Sequence, residues 1–172
     1  MDRNRKRRGI AMVEFAFTGI PLMFIWISVV QMALGMWHYH SEQYAVKQAG
    51  KYLAEHGGDC TTTCNIEVKD VAAVLQNYAI GIPPSALQVT FKTISGTDHT
   101  TVTNTKSCQL DACVTDTTAW PPSNASTLPA DFSIMAEFRW SPAIGIVSDG
   151  GHGSFMFGSF WLPAYTHQLL LY

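Results

Sequence analysis

The chain has 172 residues, 47% of them hydrophobic and only 14% charged, with a net charge of -2. That length suits one globular domain of about 100–200 residues plus an anchor. The charge is unevenly divided: residues 1–9 hold five basic groups and one acidic (net +4), the remainder six and twelve (net -6). A mildly acidic body argues against a nucleic-acid partner, because such proteins carry a basic footprint on the folded domain.

The basic cluster has another explanation. Arg3, Arg5, Lys6, Arg7 and Arg8 stand directly before residues 10–37, where the strong polar interruptions are Glu14, Thr18, Ser28 and Gln31. About 20 mostly apolar residues are enough for a helix to cross a bilayer. Lys and Arg on one flank hold that flank in the cytoplasm, which predicts a single-pass chain with its N-terminus inside and residues 38–172 outside. Glu14 is the anomaly, since a carboxylate within a span costs about 2.5–3.5 kcal/mol, less near the interface. No Lys or Arg shares the span with it. Cutting after Gly9 would create a cation at the membrane face, the α-amino group of Ile10, which can meet Glu14 of a neighbouring copy.

The string Arg8-Gly9-Ile10-Ala11-Met12-Val13-Glu14-Phe15-Ala16 resembles the processing signal of type IV pilin-like proteins. Its R-G-x-A-x-V-E-F form is similar to the TadE-like minor pilins (pseudopilins) of the tight-adherence (Flp) pilus. The likeness covers residues 7–54 and fades beyond. It implies cleavage after Gly9 by an inner-membrane aspartyl prepilin peptidase, with Ile10 as the new N-terminus. It also implies that Glu14 is the partner of the N-terminal amine during assembly and that Phe15 is the aromatic or apolar residue after it. The implied partners are the bacterial inner membrane, the peptidase, other pilins and the pilus assembly machinery. Two other readings keep the same span. An uncleaved signal anchor would tether a periplasmic structural or binding protein, whereas a secretory signal cut after Gly35 would release a module starting at Met36. A twin-arginine export signal needs more than the Arg7-Arg8 pair.

Beyond the span, Ala45, Ala49, Tyr52 and Leu53 recur at helical spacing, with Glu42, Gln43, Lys47, Gln48, Lys51 and Glu55 assigned to the wet face. One helix is therefore predicted over residues 10–56, stopped by Gly57-Gly58 and open to a kink at Pro21. His38 and His40 lie two apart and so face different ways; they are read as membrane-surface residues beside Trp37 and Tyr39, not as metal ligands. Cys60, Cys64, Cys108 and Cys113 all fall outside the span, where an oxidising periplasm favours disulfides. Four cysteines allow three pairings. Two local clips and clip-to-clip bridging both stay open, and a zinc site from C-x3-C and C-x4-C is the sharper alternative.

A second, short helix is predicted from Val68, Val71, Ala72, Leu75, Tyr78 and Ala79, capped by Asn65 and ended by Gly81 and Pro83-Pro84. Leu87, Val89 and Phe91 alternate with Gln88, Thr90 and Lys92, a half-buried strand ending near Ser95-Gly96. Residues 97–105 are a polar hairpin arm or loop, residues 108–116 a short strand, and residues 120–129 a loop holding the sequon-like Asn124-Ala125-Ser126. Phe132, Ile134, Ala136, Phe138 and Trp140 alternate with Ser133, Met135, Glu137 and Arg139, the clearest strand. Residues 150–153 are a Gly-rich turn, and residues 154–172 supply one or two closing strands around Pro163.

No nucleophile or metal motif is present, and His99, His152 and His167 read as scattered surface groups, so no enzyme and no cofactor are expected. The predicted fold is α+β and pilin-like: a long N-terminal transmembrane helix packed with a short second helix on a small antiparallel sheet. Its divisions are a basic leader (1–9), a transmembrane half-helix (10–37), an extramembrane half-helix (38–56) and a periplasmic α+β domain (57–172).

Overall fold

A single helix, α1 (Arg3–His56), takes up the first third of the chain. The structure, a computed structural model, describes residues 3–56, 66–95, 101–120, 130–141 and 160–170, and of residues 3–11, 95, 101, 103, 104, 130, 160 and 168–170 the backbone alone. The helix begins earlier than the sequence pattern predicts, within the basic cluster, in keeping with the good helix propensity of Arg and Lys. Pro21 sits inside it; the ring removes one backbone bond without ending the element. The chain divides into two compact units, Met1–Met36 and Trp37–Tyr172.

The first unit is helix alone. In residues 12–36 the large apolar side chains point outward, Phe15 at 77% and Phe17 at 79% exposure. The two hydroxyls here are satisfied within the helix: Thr18 Oγ1 donates to the Glu14 carbonyl (2.9 Å) and Ser28 Oγ to the Phe24 carbonyl (2.8 Å). Such back-bonding leaves no bare donor on an apolar surface. This is a helix long and apolar enough to cross a membrane.

The second unit is α+β. The strands β1 (Leu87–Ser95), β2 (Thr101–Gln109), β3 (Ala130–Trp140) and β4 (Phe160–Leu170) form one sheet in the order β2-β1-β3-β4. All three pairings are antiparallel. Period-2 alternation turns one face of the sheet inward: Leu87, Val89 and Phe91 from β1, and Phe132, Ile134, Ala136, Phe138 and Trp140 from β3, are buried. Ala45, Val46, Ala49 and Leu53 of α1 join them in one core, together with Val68, Val71, Ala72 and Leu75 of α2 (Val68–Tyr78). Fully burying each large aliphatic contributes about 1.5–3 kcal/mol, so the core rests on this face.

Three local expectations are corrected. The helix α2 starts at Glu67, not Asn65: the Asp70 carboxylate accepts the Glu67 backbone N–H at 3.0 Å, reciprocating an N-cap. Tyr78 turns outward rather than into the stripe. The predicted strand over residues 108–116 is not formed: β2 ends at Gln109, and one turn of helix, α3 (Leu110–Cys113), follows it, burying Leu110 and Cys113. The Thr-rich stretch takes the first of its two predicted forms, a hairpin arm: residues 101–109 pair with β1, with an irregularity at Thr93/Ile94. Within the tail, the described residues 160–170 form one strand, with Pro163 inside it on the sheet edge, where a missing N–H is tolerated; the Pro163 carbonyl accepts Gln43 Nε2 at 3.2 Å. At the end of α2 the backbone turns at Gly81, whose φ of +83° favours glycine. A Cβ there would also lie 3.0 Å from the Trp37 ring. Residues 57–58, 60, 64, 65, 96–100, 121–129 and 150–153, with the predicted helix stop, Cys60, Cys64, the sequon and the Gly-rich turn, lie outside the described residues.

Candidate functional site

The predicted processing site falls on α1. The backbone is helical through Gly9 and Ile10 and on to Glu14 and Phe15. Ile10 and Glu14 are four residues apart, and so share a helix face about 6 Å apart along the axis. Glu14 and Phe15 both stand on the exposed surface of the first unit. The same residues that make the segment suited to lipid leave this acid displayed rather than buried within the chain.

Of the cysteines, Cys108 and Cys113 are bonded to each other, with a Cα–Cα distance of 5.6 Å. The bond ties the end of β2 to the end of α3, and a disulfide cannot serve as a pair of zinc thiolates. Among the described residues no three His, Cys, Asp or Glu side chains converge as a metal site. Next to the clip, the Lys106 ammonium lies 2.7 Å from Asp116. Hydrogen bonding to Lys106, then to the Thr118 hydroxyl and N–H, holds the Asp116 carboxyl down at about 2. This network fastens the segment after α3 to the start of α2, where Val68 N–H and Lys69 N–H donate to the Thr118 and Asp116 carbonyls.

The residue that the sequence reading misplaces is Glu42. Its polarity predicts the wet face of α1, but it is fully buried. Neither carboxylate oxygen has a hydrogen bond of normal geometry. Burial pushes its carboxyl up to about 8; the Phe138 backbone N–H opposes the shift and Glu137 adds to it. A signal was present: Glu42 precedes Ala45, Val46, Ala49 and Leu53 at three-to-four-residue steps and so sits on their stripe. One turn earlier, the His38 ring packs between Trp37 and Phe138, at centroid distances of 5.4 and 5.5 Å, with Nδ1 buried and unbonded. His40 lies beside Tyr39. His167 faces the buried Asp131 at 3.6 Å, whereas His99 and His152 lie outside the described residues.

Comparison of the chain with protein-family models, with curated proteins and with solved structures finds no match.

Proposed function

We propose that the chain is a minor pilin of a bacterial tight-adherence pilus, a substrate of prepilin peptidase and not itself a catalyst. The observation that carries the reading is one helix with two characters: a lone-acid, outward-facing apolar half behind a basic leader, and a second half packed on an antiparallel sheet. A helix of this kind provides both a membrane anchor before assembly and a bundling surface after it. Cleavage after Gly9 requires the helix to open locally, and Gly is the residue at which opening is easiest, by about 1 kcal/mol relative to Ala. The freed Ile10 amine then becomes the counter-ion that Glu14 lacks. Desolvation offsets much of the attraction in such a pair, so its role is to select the register in which helices bundle. In this reading the leader faces the cytoplasm, the folded unit faces the periplasm, and the Cys108–Cys113 bond fits that oxidising side.

The test is the N-terminal mass of the protein isolated from cells that co-express an aspartyl prepilin peptidase. A chain beginning at Ile10 is the expected result. Retention of Met1 would leave a signal-anchored periplasmic protein, and a start at Met36 a secreted module. Glu14→Ala should still be cut but join assemblies poorly; normal incorporation removes the assembly role of Glu14.

A further inference from the structure

The second unit is polarised. Between Asp70 and Lys92 the sequence contains no charged residue, and the fold brings the middle of that run to the end of the unit marked by its first residue, Trp37. Ser41 Oγ donates to the Ile80 carbonyl at 3.1 Å, and Gly81 packs against the Trp37 ring. Tyr78 meets Tyr44 edge-on at 5.6 Å. The Ile80 side chain, tethered this way, is nevertheless 64% exposed. The sheet reaches the same end, because Phe138 touches His38 and the next residue, Arg139, pairs with Trp161 on β4. Trp161 is 51% exposed, and Trp37 and Tyr39 are exposed too. Three separate stretches of chain thus place Trp37, Ile80, and Trp161 with Arg139 at one end. The exposed charges that α1 contributes to this second unit, Lys47, Lys51 and Glu55, lie further along the helix, away from Trp37.

Amphipathic aromatics concentrate at the headgroup level of bilayers, and a basic residue there is drawn to anionic lipid. Exposed apolar residues on a folded unit signal an interaction surface when they cluster. Here the cluster sits where the chain passes from residue 36 to residue 37, so the surface it meets first is the one that residues 12–36 cross. We propose that Trp37, Ile80 and Trp161 form a lipid-interface seat by which the folded unit rests on the outer leaflet, its occupant being the headgroup–acyl boundary of the bilayer. The seat rests on the reading of residues 12–36 as a membrane span. It predicts that the Ile80 turn, remote from the anchor in sequence, is in lipid contact before any assembly takes place.

Photo-cross-linking on the full chain tests this. Photoreactive benzoylphenylalanine replaces Ile80, Trp161, Lys51 or Phe24, one at a time, in protein reconstituted into vesicles of phosphatidylethanolamine and phosphatidylglycerol bearing a traceable acyl chain. All four positions are exposed, so the substitutions leave the core intact, which resistance to limited proteolysis verifies. Lipid adducts at positions 80 and 161 should exceed those at position 51 severalfold, with position 24 highest. Adducts at 80 and 161 no greater than at 51, while 24 is labelled, overturn the seat and leave the span standing. Adducts from 80 and 161 to a second copy instead of lipid also overturn it. An unlabelled position 24 removes the span, and the seat with it.

Discussion

The two halves of α1 are covalently one helix and physically two different objects. Over residues 12–36 its large apolar side chains face outward on every side; over residues 42–53 the apolar groups Ala45, Val46, Ala49 and Leu53 fall on one stripe that the sheet and α2 cover. The difference teaches where each half finds its stability. A helix apolar all round needs an apolar solvent or other helices, whereas a striped helix needs only one covering face. The first half therefore depends on its surroundings, and the second on the folding of residues 66–170. Acids mark the same divide: Glu14 is displayed on the first half, and Glu42 is enclosed in the second.

The largest test of this contrast places the same charge in each half. Val46→Asp buries an unpaired carboxylate in the core, a cost no small domain of about 5–15 kcal/mol absorbs easily, and should abolish the protease resistance of the folded unit. Val29→Asp should leave that resistance unchanged and reduce membrane integration, by about 2.5–3.5 kcal/mol on insertion scales. A Val29→Asp chain with an unfolded second unit would show that the halves are not independent. Next in size, Leu53→Ala should destabilise the folded unit by about 2–5 kcal/mol in denaturant titration, the range for core Leu truncation. Phe17→Ala, on the exposed half, should give no measurable change in that titration.

Removing the clip should have a smaller effect. Cys108→Ser with Cys113→Ser opens a short loop, for which chain entropy gives about 2 kcal/mol. Thermal unfolding of the double variant and of the parent under reductant should agree; a parent indifferent to reductant would contradict a stabilising role.

Two further effects separate by the direction of their pH dependence. The Glu42 carboxyl is raised from 4.5 to about 8, so the folded state binds the extra proton. The stability it contributes is fully present below 4.5 and is lost as the pH rises through about 8. Glu42→Gln should therefore match the parent at pH 4.5 and exceed it at pH 8, by about 4 °C in Tm for each kcal/mol recovered. Asp116 runs the other way: lowered from 3.8 to about 2, it contributes above 3.8 and ceases to as the pH falls through about 2. Its pair with Lys106 is solvent-accessible and correspondingly weak, so Asp116→Asn should produce the lesser change. Equal Tm values for Glu42→Gln and parent across the whole range would show that Glu42 keeps an ordinary carboxyl.

Legibility followed exposure contrast. The strands β1 and β3 could be read directly, because Leu87, Val89, Phe91 and Phe132 to Trp140 alternate between a dry and a wet face. The polar arm that becomes β2 gave no such pattern: it is an edge strand, with Val102 half exposed, so its pairing with β1 depends on backbone bonds more than on side-chain contrast. The local pairing of Cys108 with Cys113 was one of three possibilities until the turn α3 brought the sulfurs together. For Glu42 polarity and periodicity disagree: the carboxylate points to the wet face, whereas the spacing from Ala45 and Ala49 puts it on the buried stripe, and periodicity wins.

By itself the order of residues determined the two-part helix, its first half's lone acid behind a basic cluster, and the half-buried strands, since each depends only on local spacing and on the preference of side chains for water or hydrocarbon. Tertiary structure alone decided which way Tyr78 faces, which cysteine joins Cys108, and that Ile80 and Trp161 both lie at the end marked by Trp37. Those outcomes turn on which surfaces are near one another after folding, and closeness between distant stretches is not encoded at any single spacing along the chain.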